Sequence, residues 1–192
     1  MTRTKMSVII AAMALTLAGC ENVNVNINMN GAVQNEQKPE ASETQDIDIG
    51  TTGYAISIPS DYYSGEVTKD DRKDDQIAYY KSDEHLMDFD VYQFGKDGMS
   101  LGEYAKKEAE EYKADGVEEV KYNGIPMMLY YSQEEYEGEE YRVANYIFEN
   151  FKDFTELSFW LDGDDAEELV EQILFSIYSD TQAADDGVMH AY

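Results

Sequence analysis

Few side chains in this sequence could perform acid–base or nucleophilic chemistry. The 192-residue chain holds two histidines, His85 and His190, and one cysteine, Cys20. Neither histidine lies in a G-x-S-x-G or H-E-x-x-H motif, the short patterns of serine hydrolases and zinc proteases. The acidic run 162–165 lacks the D-x-D-x-D-G spacing and the bidentate Glu of a calcium loop. The sequence therefore predicts no catalytic residue, no bound cofactor and no metal ligand.

Paired acids are the remaining source of acid–base chemistry. Asp88 and Asp90 alternate with apolar residues within the run 85–94. This period of two predicts a strand with one buried and one solvated face, and we expect both acids to face water. Two carboxylates can act as general acid and general base. A carboxylate-dependent hydrolase is therefore an alternative to the non-enzymatic protein that we expect.

Cys20 is the last residue of an N-terminal sequence pattern that is typical of exported proteins. Arg3 and Lys5 precede an uncharged run of twelve residues, Met6 to Leu17. The run is too short to span a membrane, which takes about 20 apolar residues, but it has the length of a signal-peptide core. The tetrapeptide Leu17-Ala18-Gly19-Cys20 resembles the bacterial lipoprotein signal, in which the cysteine is diacylglycerylated and becomes the new N-terminus. We therefore predict a signal peptide over 1–19 and lipidation at Cys20.

Lipidation of Cys20 would fix the location of the protein. Two acyl chains hold a protein firmly on a bilayer, whereas one chain does not. The predicted location is therefore the extracytoplasmic face of a bacterial cell membrane. With its single cysteine acylated, the chain has no thiol for catalysis or for an intrachain disulfide. Residues 20–46 are rich in Asn and predict a flexible tether, which as a random coil would span roughly 30 Å.

The acidic composition limits the classes of partner. The formal charge of −27 becomes −29 when residues 1–19 are removed, because Arg3 and Lys5 leave with them. Nucleic-acid binding requires a surface rich in Lys and Arg, so we exclude nucleic acid as a partner. The same charge disfavours adhesion to anionic lipid headgroups. It favours solubility, and a cation-binding surface is the alternative interpretation.

Apolar periodicity divides residues 47–180 into strands and two helices. A capping box at Ser100 and Glu103 begins the first helix, and we expect it to end at Gly116. Asp164 is expected to cap the second. Asn123-Gly124 predicts a hairpin within an antiparallel meander over the last four strands. The predicted strands cover 54–58, 66–69, 76–81, 85–94, 117–122, 125–133, 141–150 and 154–161. The predicted fold class is thus α+β in one domain, and residues 181–192, which have no core pattern, are expected to form a disordered tail.

The order of these elements resembles a known superfamily. A strand ending in Ile58-Pro59-Ser60 opens the domain, and a helix ending in Ile173-Leu174-Phe175-Ser176-Ile177 closes it. The order is similar to that of the photosystem II subunit PsbP, the Ran-binding Mog proteins and the DcrB- and LpqN-like proteins, a group that includes small bacterial lipoproteins. The resemblance covers roughly residues 48–180. It implies an antiparallel sheet layered with helices, an α/β/α sandwich, and its members are mostly non-enzymatic binding or assembly factors.

The aromatic residues suggest where a partner could bind. The chain has 16 tyrosines and one tryptophan, and adjacent strand residues point to opposite faces. If neighbouring strands align, Tyr130, Tyr146 and Trp160 form a platform for a sugar or a protein; otherwise they are tolerated amphipathic residues. We therefore expect a lipid-anchored extracytoplasmic binding or assembly module with a protein partner. The alternatives are a lipoprotein that binds cell-wall glycan or a small solute, and the carboxylate-dependent hydrolase.

Overall fold

Strands dominate the part of the chain that the computed structural model describes, which is residues 43–50, 52–85, 87–136, 138–150, 152–163 and 165–179. The predicted signal peptide, Cys20, His190 and the predicted tail 181–192 lie outside these residues. The strands are β1 (Thr44–Asp48), β2 (Tyr54–Pro59), β3 (Tyr63–Ser64), β4 (Gln76–Lys81), β5 (Asp88–Gly95), β6 (Glu118–Tyr122), β7 (Ile125–Tyr136), β8 (Glu139–Glu149), β9 (Asp153–Leu161) and β10 (Tyr178–Ser179). Helix α1 spans Leu101–Glu111, helix α2 spans Ala166–Phe175, and a turn of 3-10 helix covers Asp71–Asp74.

The strands form two antiparallel sheets. The larger sheet has the order β3-β4-β5-β9-β8-β7-β6, and the smaller one has the order β1-β2-β10. Strands β6 to β9 lie side by side in chain order and pair antiparallel, which confirms the predicted meander. Strand β9 then pairs with β5 over eight residues, so β5 and β9 are inner strands. The predicted α+β class with an antiparallel sheet and two main helices is confirmed.

The two helices lie on opposite faces of the larger sheet. Helix α1 covers one face, where Tyr104, Ala105 and Ala109 pack against buried residues of the sheet, namely Tyr92, Phe94, Tyr130, Ile147 and Phe154. On the other face, Val170, Ile173 and Leu174 of α2 share a core with the smaller sheet. Full burial of a large apolar side chain contributes about 1.5–3 kcal/mol before the loss of its conformational entropy. Each face of the larger sheet is therefore covered, at least in part, by one helix.

Two short-range sequence signals fold as predicted. The Ser100 hydroxyl accepts a hydrogen bond from the Glu103 backbone N–H, and the Glu103 carboxylate accepts one from the Ser100 backbone N–H at 2.9 Å. This is the expected capping box. Asn123 and Gly124 have φ of 44° and 88° and connect β6 to β7. A two-residue hairpin turn of this type requires positive φ at both positions, which Asn and Gly adopt readily.

The boundaries of four elements differ from the sequence prediction. Strand β1 begins at Thr44, inside the predicted tether, and pairs with β2. Residues 66–69 are not a strand, since the Thr68 backbone N–H donates to the Asp71 carboxylate in a turn and β3 lies earlier in the chain. Helix α1 ends at Glu111, because Lys113 has a left-handed φ of 57°. Helix α2 has Asp165 as its N-cap, without a side-chain capping hydrogen bond.

Candidate functional site

The face of the larger sheet under α1 has polar side chains in its interior. Residues opposite each other on neighbouring strands point to the same face, and Asp90 lies opposite Ser158, which lies opposite Asn145. Asp90 is 1% exposed, and Ser158 and Asn145 are fully buried. Asp88 is half-buried on the same face. The expectation that both acids face water is therefore wrong for Asp90, because Gln76 and Trp160 on the neighbouring strands contact its carboxylate, whereas Asp88 is partly exposed.

Each of the two aspartates accepts hydrogen bonds from neighbouring strands. Asp90 accepts from the Gln76 amide at 2.5 Å and from the Trp160 indole N–H at 2.8 Å. Asp88 accepts from the Tyr79 hydroxyl at 2.5 Å. Burial raises the pKa of the Asp88 carboxyl, while the hydrogen bonds from Tyr79 and from the Ser82 backbone oppose that rise. Burial, and then the hydrogen bond to Asp88, raise the pKa of Tyr79.

Three aromatic rings meet beside these aspartates. The ring centroids of Tyr136 and Tyr141 lie 6.4 and 6.0 Å from that of Trp160, and 6.5 Å from each other. All three side chains are partly exposed. The Trp160 indole reaches Asp90, so the rings and the acids are continuous. We call this group the acid–aromatic surface; its residues are Tyr79, Asp88, Asp90, Tyr136, Tyr141 and Trp160.

The acid–aromatic surface lies in a negatively charged part of the sheet. The residues that β5, β7, β8 and β9 direct to this face include four acids at its centre and no Lys or Arg; the acids are Asp88, Asp90, Glu134 and Glu156. Glu156 is 2% exposed and accepts hydrogen bonds from the Ser158 and Tyr130 hydroxyls. Lys81 of β4 is close enough to lower the pKa of Asp88. Hydrogen-bond acceptors and negative charge therefore predominate here.

The three aromatic residues predicted as a platform do not share one exposed face. Tyr130 is 1% exposed under α1, and Tyr146 is 4% exposed in the core on the opposite face of the sheet. Tyr130 lies opposite Asn145, so Tyr146, the next residue along β8, points the other way. Only Trp160 belongs to the acid–aromatic surface. Its aromatic neighbours, Tyr136 and Tyr141, could have been found only from the register of the β7–β8 hairpin.

His85, the histidine among the described residues, lies in the loop before β5 and contacts Asp61. The order of the side chains in this contact differs from the order that nucleophilic catalysis requires. The Ser82 hydroxyl donates to one oxygen of Asp61, and the other oxygen of Asp61 is 3.5 Å from Nε2 of His85. A catalytic serine requires the imidazole as its direct hydrogen-bond acceptor, whereas here the carboxylate lies between them. The Ser82 hydroxyl also accepts from the His85 backbone N–H at 2.9 Å. These contacts order the loop before β5.

No three or more His, Cys, Asp or Glu side chains in the described ranges are arranged to hold a metal ion. None of the helices in this part of the chain has the length and apolar character needed to cross a membrane.

Comparison with solved structures identifies the type of fold. No protein family and no curated protein matches the sequence. The solution structure of the cyanobacterial PsbP protein CyanoP from Synechocystis sp. PCC 6803 is similar, with a TM-score of 0.54 at 8% identity, over 74% of this chain and 95% of CyanoP. A crystal structure from Bacteroides thetaiotaomicron VPI-5482 gives a TM-score of 0.50 at 17% identity over 70% of this chain; the match spans 47% of the Bacteroides protein, about half its length. The chain therefore has an α+β fold of the PsbP-like type.

Proposed function

We propose that this protein is a non-enzymatic binding or assembly module, held on the extracytoplasmic face of a bacterial membrane by a lipid on Cys20, and that its partner is a protein. The Leu17-Ala18-Gly19-Cys20 tetrapeptide behind a charged and then apolar segment supports the anchor. The PsbP-like fold is compatible with this class of function. A fold alone does not define a function, so the proposal depends on a surface feature.

The acid–aromatic surface is the observation that carries the proposal. Tyr and Trp are enriched among the residues that dominate the energy of protein interfaces, and partly exposed Tyr136, Tyr141 and Trp160 are in mutual contact. They stand on three neighbouring strands of a sheet that is packed on both faces. A rigid scaffold reduces the entropy that is lost on binding. Tyr136, Tyr141 and Trp160 therefore form a preformed surface that is suited to binding a partner.

The hydrogen bonds of the aspartates favour binding over hydrolysis. A general acid or base must reach the proton that it transfers. Asp90 is 1% exposed, and each of its two carboxylate oxygens accepts a hydrogen bond, one from Gln76 and one from Trp160. Asp88 is held by Tyr79. Both carboxylates thus position neighbouring side chains, which is the role that a binding surface needs.

Crosslinking in cells tests the protein partner. A photoreactive amino acid at position 139, an exposed site on β8 opposite Tyr136, should capture one reproducible protein. Tyr141→Ala should abolish this crosslink, while the matched variant Tyr178→Ala, on β10 of the smaller sheet, should retain it. A crosslink that both variants retain would place the partner elsewhere on the molecule. Capture of cell-wall glycan in its place would support the alternative of a glycan-binding lipoprotein.

Metabolic labelling tests the anchor separately. The unaltered chain should incorporate radioactive palmitate and be processed to the form that begins at Cys20. Cys20→Ser should accumulate as an unlabelled precursor, because the acylated atom is the thiol sulfur. Equal labelling of the two proteins would refute lipidation at this cysteine without affecting the proposed binding surface.

A further inference from the structure

Strand β6 is an outer strand of the larger sheet, and its second edge carries backbone groups that can accept another strand. The sheet order ends at β6, and no described strand pairs with the edge that faces away from β7. Tyr122 and Ile125 flank the two-residue turn and form a hydrogen-bonded pair, and such pairs alternate with non-hydrogen-bonded pairs along an antiparallel ladder. The backbone N–H and C=O groups of Glu119 and Lys121 therefore point away from β7, toward the open edge.

The side chains of β6 limit which strand this edge can accept. Glu118, Glu119 and Lys121 are exposed, and Val120 among them is half-buried. Neither Glu119 nor Lys121 forms an ion pair with another described residue. Charged residues on an outer strand usually prevent it from pairing with unrelated strands. A strand that is added here must therefore bring charges that match those of β6.

A second copy of β6 brings the matching charges in an antiparallel register centred on Val120. When Val120 lies opposite Val120 of the second copy, Glu119 of each copy lies opposite Lys121 of the other. Opposite charges in this position stabilise a pair of strands. The backbone groups of these same residues point outward, so each Glu119–Lys121 pair can exchange N–H···O=C bonds in both directions. A shifted register that places Glu119 opposite Glu119, or Lys121 opposite Lys121, brings like charges together and is disfavoured.

Apolar side chains beside the open edge extend this contact. Val120 and Tyr122 lie on the face of β6 that packs on the core containing α2. The Phe175 ring of α2 is edge-to-face with Tyr122, with centroids 5.1 Å apart, and its 62% exposure exceeds that of any other large apolar side chain in the described ranges. In the register centred on Val120, the two Val120 side chains form a non-hydrogen-bonded pair, in which opposed side chains are closest. The contact is therefore apolar along this face.

We propose that the protein forms a symmetric dimer in which the β6 strands of two copies pair antiparallel and join the two larger sheets into one. A two-fold contact uses the same surface on both copies, and the charges of β6 are complementary to themselves under that symmetry. Strand β6 pairs with residues 125–129 of β7, whereas Tyr136 of the acid–aromatic surface is the last residue of β7. The dimer contact is thus separate from that surface, and the inference goes beyond the proposed function without depending on it.

Disulfide crosslinking of the full chain tests the pairing of Val120 with its copy. Cα atoms of a non-hydrogen-bonded pair are about 4.5 Å apart, within the range of about 4.4–6.8 Å that a disulfide spans. Val120→Cys should therefore form a 120–120 disulfide under mild oxidation, and mass spectrometry of the digest distinguishes it from disulfides to Cys20. The assay uses about 0.15 M salt, which screens the repulsion between two acidic copies beyond roughly 8 Å.

Glu118→Cys is the matched control, because position 118 is more exposed than position 120 on the same strand. In the proposed register Glu118 lies opposite Tyr122, so two cysteines at position 118 are about 13 Å apart along the strands. Their disulfide should form at least about fivefold more slowly than that at position 120. Equal or faster crosslinking at position 118 would show random collision of exposed thiols, and it would overturn the proposed dimer, as would failure of the 120–120 disulfide to form.

Charge reversal in the chain that carries Val120→Cys tests the register. Glu119→Lys places like charges opposite each other and should slow formation of the 120–120 disulfide by about fivefold or more. Adding Lys121→Glu exchanges the two charges and should restore the rate. Glu118→Lys changes the net charge by the same amount outside the charge pair and should leave the rate unchanged. A double variant that stays slow, or equal losses at positions 118 and 119, would contradict this register, whereas loss of the Tyr141-dependent crosslink in cells bears on the proposed function alone.

Discussion

At the scale of single residues, the pKa of the Asp88 carboxyl depends on burial and on a few neighbouring side chains. Tyr79 and Lys81 of β4 and Asp83 of the following loop all act on it, together with burial. Tyr62 and Tyr63 also lie within electrostatic range of its charge. Since burial raises its pKa above the ordinary 3.8, the folded protein binds the proton more tightly than the unfolded chain. Its contribution to stability is therefore fully present below pH 3.8 and is lost as the pH rises through the higher folded pKa.

Tyr79→Phe should raise the pKa of Asp88 further. The variant keeps the ring but removes the hydroxyl that donates to the carboxylate at 2.5 Å, and a hydrogen bond to the charged form lowers the pKa of an acid. Titration of the carboxyl carbon by NMR measures the change. Tyr178→Phe, far from Asp88 on β10, is the control. A pKa that stays the same or falls in Tyr79→Phe would show that the hydroxyl does not stabilise the carboxylate.

Gly65 is a second residue on which the site depends. A Cβ atom at this position would lie 2.2 Å from Cδ1 of the Tyr79 ring, and that ring is held by the hydrogen bond to Asp88. Gly65→Ala should therefore force a shift of Tyr79 and cost about 1–3 kcal/mol of unfolding free energy, as other overpacked substitutions do. Denaturant unfolding measures the cost. Gly116→Ala, where an added Cβ meets nothing within 4 Å, should change stability by less, and an equal loss in both would contradict the steric argument.

At the scale of elements, the two helices begin with different capping. The Ser100 hydroxyl accepts from the Glu103 N–H at the start of α1, and the Glu103 carboxylate accepts from the Ser100 N–H, whereas Asp165 at the start of α2 makes no side-chain capping bond. Ser100→Ala should therefore cost about 1 kcal/mol of unfolding free energy, and Asp165→Ala should cost less. Thermal or denaturant unfolding of both variants checks the difference. A larger loss of stability in Asp165→Ala than in Ser100→Ala would show that the charge of Asp165 near the helix N-terminus outweighs the missing hydrogen bond.

The elements also differ in how far their features could be predicted from the sequence. The capping box and the Asn123-Gly124 turn are encoded within four residues, so local rules found them. Tyr136 and Tyr141 were missed because their contact depends on the register of the hairpin around Gly138, which pairs Tyr136 with Glu139 and Glu134 with Tyr141. Alternation along β5 correctly separated its two faces. It could not reveal that Asp90 is buried, since Trp160, which contacts its carboxylate, lies 70 residues away on β9.

At the scale of the whole molecule, tyrosine burial links stability to alkaline pH. Burial is the main cause that raises the pKa of seven tyrosines above the ordinary 10.0; they are Tyr62, Tyr79, Tyr80, Tyr92, Tyr130, Tyr131 and Tyr146. Six of them lie on strands of the larger sheet, and Tyr62, which precedes β3, packs in its core. Their phenols ionise near pH 10 in the unfolded chain but remain protonated in the fold. Stability from these groups is therefore present below pH 10 and is lost as the pH rises toward the folded values.

We therefore expect the protein to unfold cooperatively above pH 10, with a delayed step in tyrosine ionisation. Absorbance at the phenolate band should rise first for exposed tyrosines near pH 10 and then again at the unfolding transition. Repulsion within the acidic chain also destabilises it at high pH, but about 1 M salt screens charges beyond roughly 3 Å and leaves the burial cost in place. The second step should therefore persist in high salt, and Tyr130→Phe should move it to higher pH because one buried phenol is removed. A single ionisation step near pH 10 with the fold intact would contradict this account of the core.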